Sequence, residues 1–136
     1  MSDAQNLTYA VVQVFHNFGA VATVSAGFAA TRIESENGRK KLAWLALTGW
    51  GAQAVSGASF GLVSYHYYQR LPDIAGIAVI ALVIKMLCAA TGILLTAAYI
   101  FWGGNWTQRK RSTALHSSTL VAAIALCAAA FLRWFS

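Results

Sequence analysis

Four side chains in this sequence combine reactive chemistry with an apolar setting: His16, Asn17, His66 and Lys85. His16 and Asn17 sit in VQVFHNFGAVATVSAGF, residues 12–28, and Lys85 in IALVIKMLCAATG, residues 80–92. An imidazole in such a run can ligate haem iron, relay a proton or bond to a neighbouring helix. A lysine there can meet a haem propionate, a quinone oxygen, a proton path or a partner subunit's carboxylate. Asn17 can orient the ring or cap the polar edge of a ligand. His66 is a second imidazole on the same side of the chain's layout, so His16 and His66 are the pair available for a bis-histidine haem or metal site. Such a site also needs similar depth and facing helices, and His66 stands nearer the end of its run. His116 belongs to the opposite end.

The elements that position these groups follow from composition. Of the 136 residues, 58% are hydrophobic and only 10% charged, against about 25% charged in soluble domains. No formal charge falls between Leu42 and Gln69, and Lys85 alone falls between Ile74 and Gln108. Four apolar segments, at about 8–30, 42–68, 74–102 and 113–135, exceed the ~17 residues needed to cross a bilayer. Lipid leaves helix as their only state, since four segments are too few to close a barrel. The expected fold is all-α, a four-helix antiparallel transmembrane bundle forming one domain over residues 1–136. The N-terminus carries Asp3 and lacks a basic n-region, so the first apolar segment is expected to remain as a membrane helix rather than act as a signal peptide.

The connections read as TRIESENGRKK, with Asn37-Gly38 as its turn signal, QRLPD, where Pro72 starts the third helix, and GGNWTQRKRS, with Gly103-Gly104 as a turn. Arg32, Arg39, Lys40 and Lys41 crowd the first connection and Arg109, Lys110 and Arg111 the third, against Arg70 alone in the second. That places the first and third on the cytoplasmic side and both termini outside, with a bacterial inner membrane as the expected setting. Arg133 runs mildly against this. The net charge of +6 thus reads as topology and not as nucleic-acid binding. Tyr65, Tyr67, Tyr68, Trp102, Trp106 and Trp134 mark the headgroup layers.

Small residues mark the contact faces. Gly19, Thr23 and Gly27 form one stripe, with His16 and Gln13 in line before it. Gly49, Gln53, Gly57 and Gly61 form a second. Lys85, Cys88, Ala89, Gly92 and Thr96 form a third, and His116, Thr119, Ala123 and Cys127 a fourth. At ~1.5 Å per residue, His16 lies about 12 Å and Lys85 about 16 Å below the outer helix ends. No Asp or Glu in the spans can pair with Lys85. Cys88 and Cys127 lack CxxC spacing and read as small buried hydrophobes. Met86 beside Cys88 is a weak copper signal. No carboxylate pair, nucleophile constellation or phosphate loop points to an enzyme acting on its own.

The run GWGAQAVSGASFGLVSYHYY, a following proline and IALVIKMLCAATG together resemble a helix pair of copper-resistance-D-like and related small four-helix membrane families. The resemblance covers about half the chain and implies a transport or redox role; it carries no ligand to a numbered residue. Three functions follow. The first is a subunit of an electron-transfer complex that binds haem b or quinone through His16, His66, Lys85 and Asn17. The second is a small transporter of a proton, a metal such as copper, or a solute. The third is a non-catalytic subunit. Partners are the bilayer and other membrane subunits or further copies of the chain.

Overall fold

The computed structural model describes residues 2–135. Four helices account for nearly all of them: α1 (Asp3–Arg32), α2 (Glu36–Tyr68), α3 (Ile77–Trp102) and α4 (Gln108–Phe135), with a short 3₁₀ turn, Gly103–Asn105, after α3. No strand occurs among the described residues, and the all-α expectation holds. Three helices, α1, α3 with its 3₁₀ turn, and α4, are long and apolar enough to cross a membrane. The sequence pattern suggests four such spans, but α2 is not among those that qualify. It has the length, at 33 residues, but Gln53, Ser56, Ser59, Ser64 and its glycines dilute its hydropathy.

The helices overrun their apolar segments at both ends of α1 and at the starts of α2 and α4, because backbone hydrogen bonding continues into polar flanks. Ser2 caps α1, its side chain accepting from Gln5 N, and Ser35 caps α2 by accepting from Gly38 N. The first connection therefore shrinks to residues 33–35, and Asn37-Gly38 lies in the first turn of α2 rather than in a loop. Pro72 does not start α3. That helix begins at Ile77, after Gly76 at φ 56° and ψ −123°, a backbone shape that favours glycine. The third connection winds through the 3₁₀ turn, and Thr107 Oγ1 accepts from Lys110 N at the head of α4.

The bundle is two tight hairpins, α1 on α2 and α3 on α4, joined more lightly along α1/α4 and α2/α3. In ring order α1–α2–α3–α4 the diagonals α1/α3 and α2/α4 share little backbone contact. The interior is built mainly of small residues: Ala26, Ala30, Ala43, Ala46, Ala78 and Ala122 are all buried. Large apolar side chains point outward, among them Phe15, Phe18, Leu62, Leu94 and Leu120. Small-residue contact faces and an apolar exterior are what a bilayer selects, because only close backbone approach distinguishes helix from lipid. Gly49 shows the closeness: a Cβ there would stand 2.7 Å from Thr23 N and 2.8 Å from Gly19 O.

Two aromatic side chains are buried among the described residues, one in each of two layers. Trp50 packs with Cys88, Ala122 and Ala125, its ring over Gly92. Tyr99 packs with Ala30, Ala43, Ile100 and Leu115.

Candidate functional site

An α-helix turns about 100° per residue, so a long face persists when steps of three and four are mixed. Along α3 the steps from Lys85 through Cys88, Gly92 and Thr96 to Tyr99 are three, four, four and three. Cys88, Gly92, Thr96 and Tyr99 are buried on one stripe, with Lys85 half-buried at its end. On α1, Gly19, Thr23 and Gly27 are buried as expected and His16 is half-buried above them.

These two stripes bring Lys85 and His16 together across the α1/α3 diagonal. Lys85 Nζ lies 2.9 Å from His16 Nε2. The other ring nitrogen, Nδ1, is 2.8 Å from Ser56 Oγ on α2, and the Ser56 hydroxyl donates to the carbonyl of Ala52. Gln53 donates its side-chain N–H to the main-chain carbonyl of His16, and Phe60 presents a ring at 74° to the imidazole, 5.7 Å between centroids. With Lys85 protonated, one hydrogen assignment satisfies the chain. Ser56 spends its only proton on Ala52, so Nδ1 must donate to Ser56 Oγ, and Nε2 is left with a lone pair for an N–H of Lys85. The imidazole is therefore neutral with its proton on Nδ1. From the helix ends the pair lies about 12 Å along α3 from Ile77 and about 20 Å along α1 from Asp3, so the expected depths of 16 and 12 Å shift because both helices start elsewhere.

The other expected residues do not join this chain. Asn17 is exposed, and its Oδ1 accepts from Gln13 Nε2 at 2.7 Å; it does not touch the ring of His16. Gln13, placed in line with His16, is exposed as well, because two successive steps of three rotate it about 120° from Gly19. His66 is exposed near the end of α2, edge-on to Tyr67, about 15 Å along the helix from Ser56. Gly57 is also exposed, since a run of fours drifts off the α2 contact face. Ser56, seven residues on from Gly49, stays on it and is buried; it is the site residue that sequence spacing misses. On α4 the buried stripe is Leu115, Ser118, Ala122 and Ala125, not the face of His116, Ala123 and Cys127, all exposed. Of the two cysteines only Cys88 is buried.

Haem does not fit these residues. Both nitrogens of His16 are engaged, and His66 is remote from it. No group of three or more His, Cys, Asp or Glu that could hold a metal occurs among the described residues. A groove of about 170 Å³ on the α1/α2 seam is lined by Val11, Phe15, Val55, Ser56 and Ser59 among others. A broader depression of about 580 Å³ lies over Arg109, Ser112 and His116 at the far end of the bundle, away from the polar chain.

Below the pair, Trp50 Nε1 is buried without an acceptor. Deeper still, Thr96 Oγ1 and Ser118 Oγ are 3.0 Å apart. At the far end Tyr99 donates to Glu36 Oε1 at 3.1 Å, and Arg111 Nη1 pairs with Glu36 Oε2 at 3.1 Å. Arg111 also donates to the carbonyls of Trp106 and Gly104, at 3.1 and 2.8 Å.

No protein-family model, curated protein or solved structure matches this chain. The geometry of the polar chain is what bears on function.

Proposed function

We propose that this is an integral membrane protein of the bacterial inner membrane, with both termini outside, that carries protons past Lys85, His16 and Ser56. The basic first and third connections support the orientation, and a bundle of α-helices suits an inner membrane, since outer-membrane spans are barrels. The observation that carries the reading is the Lys85–His16 contact on the bundle diagonal. A lysine at this depth costs about 2.5 kcal/mol or more to hold charged, and all four acidic residues of the chain lie at helix ends or in connections. Lys85 faces an imidazole instead. Lys85 Nζ delivers its proton to Nε2 and becomes an amine, Nδ1 passes its proton to Ser56 Oγ, and the Ser56 hydroxyl gives its own proton to water in the α1/α2 groove that it lines, so the ring takes a proton on one side and yields another on the opposite side.

The protein reconstituted in vesicles with a trapped pH dye tests this. An imposed pH gradient, with charge balanced by a potassium ionophore, should collapse faster than in empty vesicles, and Lys85→Met and His16→Ala should each remove the gain. A wild-type rate equal to that of empty vesicles overturns the proposal, as does a rate unchanged in both variants. A second reading is that of a non-catalytic subunit. It is favoured by the fact that the same polar chain joins three helices, and under it the variants would weaken folding in a protein that moves no protons.

A further inference from the structure

The interior of this bundle has hydrogen-bond donors without matching acceptors. Of the three N–H bonds of the Lys85 ammonium, one has an acceptor, His16 Nε2. The one carboxylate bonded into the bundle, Glu36, lies at the far end and is taken by Tyr99 and Arg111. Two turns along the same stripe, about 10 Å from Lys85, Gly92 receives the ring of Trp50. The indole of Trp50 is 2% exposed, and its N–H, a donor that can never accept, has no partner. Between these two levels lies Cys88, a weak donor. A buried unpaired donor is destabilising, and here it stands below a cation that lacks a counter-ion.

We infer that Lys85 binds a small monovalent anion, a halide or a short carboxylate, and that Trp50 Nε1–H is the next donor on its way inward. The inference rests on the proton-relay reading of the same residues and adds what travels with the proton. Between the levels of Lys85 and Trp50 an acceptor-only guest complements this stripe. A cation would meet like charge at Lys85, and a neutral hydroxyl compound would bring a further donor to a level that already has donors in excess. The anion supplies the negative charge that the helices lack, and a proton held on the Lys85–His16 pair leaves the loaded site close to neutral in a medium that penalises net charge. Gly92 belongs to the same device, because a Cβ there would fall within the indole of Trp50 and displace the donor from the stripe.

The test uses the purified full chain with sodium chloride, sodium acetate and sodium gluconate at equal ionic strength, gluconate being the bulky control. Chloride or acetate should raise the unfolding midpoint saturably over gluconate, and the responding salt shows whether the site takes a halide or a carboxylate. Lys85→Met should weaken that response about tenfold or more, as for loss of a charged hydrogen bond. Trp50→Phe should weaken it about fivefold, as for a neutral one. If both salts act as gluconate does, or if the response survives Lys85→Met, the inference is overturned. Should Lys85→Met fail to fold, the wild-type comparison of the three salts decides alone. Proton flux measured in gluconate keeps the two ideas apart. Flux that needs Lys85 without any anion response sinks the anion alone, and an anion response without flux sinks the relay alone.

Discussion

Both diagonals of this bundle are bridged by a cationic side chain, and they differ in what answers the cation. At the end carrying the first and third connections, Arg111 crosses from α4 to the Glu36 carboxylate on α2 and caps two carbonyls besides. Toward the other end, Lys85 crosses from α3 to the imidazole of His16 on α1. The first link is complete: charge meets charge, Tyr99 takes the second carboxylate oxygen, and Leu115, Ile100 and Ala43 pack around it. The second leaves a cation with donors to spare, above an indole N–H with none to receive it. A bundle that needed only fastening could have used the first arrangement twice. Under the proposed function the incomplete diagonal is where a mobile charge has a place, and the complete one fastens the far end.

The sharpest way to break this contrast is to remove the incomplete link. Lys85→Met or His16→Ala should lower proton flux about a hundredfold, in the range a positioned proton donor or acceptor contributes, while Glu36→Gln should leave flux unchanged. Next in size is packing shared by both ends. Gly49→Ala sets a Cβ 2.7 Å from Thr23 N and 2.8 Å from Gly19 O, backbone atoms that cannot yield, and should cost about 1–3 kcal/mol in detergent unfolding. Gly51, two residues away, has nothing within 4 Å of an added Cβ, so Gly51→Ala should not destabilise. Smaller again is the complete link itself. Glu36 is 49% exposed and Arg111 20%, so Glu36→Gln should cost about 1 kcal/mol or less by the same measurement. Smallest is His66→Ala, which should alter neither flux nor unfolding, because His66 is exposed at the end of α2. A loss of flux there would mean that the two imidazoles act together after all.

Fold class was legible because the charge gaps around Lys85 and between Leu42 and Gln69 allow nothing but helices in lipid. The Lys85 stripe was legible too, since mixing threes and fours holds to one face. Runs of one fixed spacing carried Gln13 and Gly57 off their contact faces and passed over Ser56. The His116 stripe failed differently: its steps of three, four and four match those of the Lys85 stripe, but the face they mark on α4 is the exposed one. Asn17 was misplaced because adjacency in sequence stands for about 100° of rotation on a helix, enough to turn it from the ring it was meant to orient. The carboxylate at the far end stayed hidden because Glu36 reads as loop until Ser35 is seen to cap α2.

The claim beneath all of this is that the imidazole of His16 carries its proton on Nδ1 toward Ser56 and offers Nε2 to Lys85. Nitrogen-15 spectra of histidine-labelled protein in bilayers, with His66 and His116 replaced by glutamine, read the two ring nitrogens of His16 directly. The account requires a protonated Nδ1 and an unprotonated, hydrogen-bonded Nε2 whose resonance moves in Lys85→Met. A proton found on Nε2, or a spectrum indifferent to Lys85→Met, would contradict it.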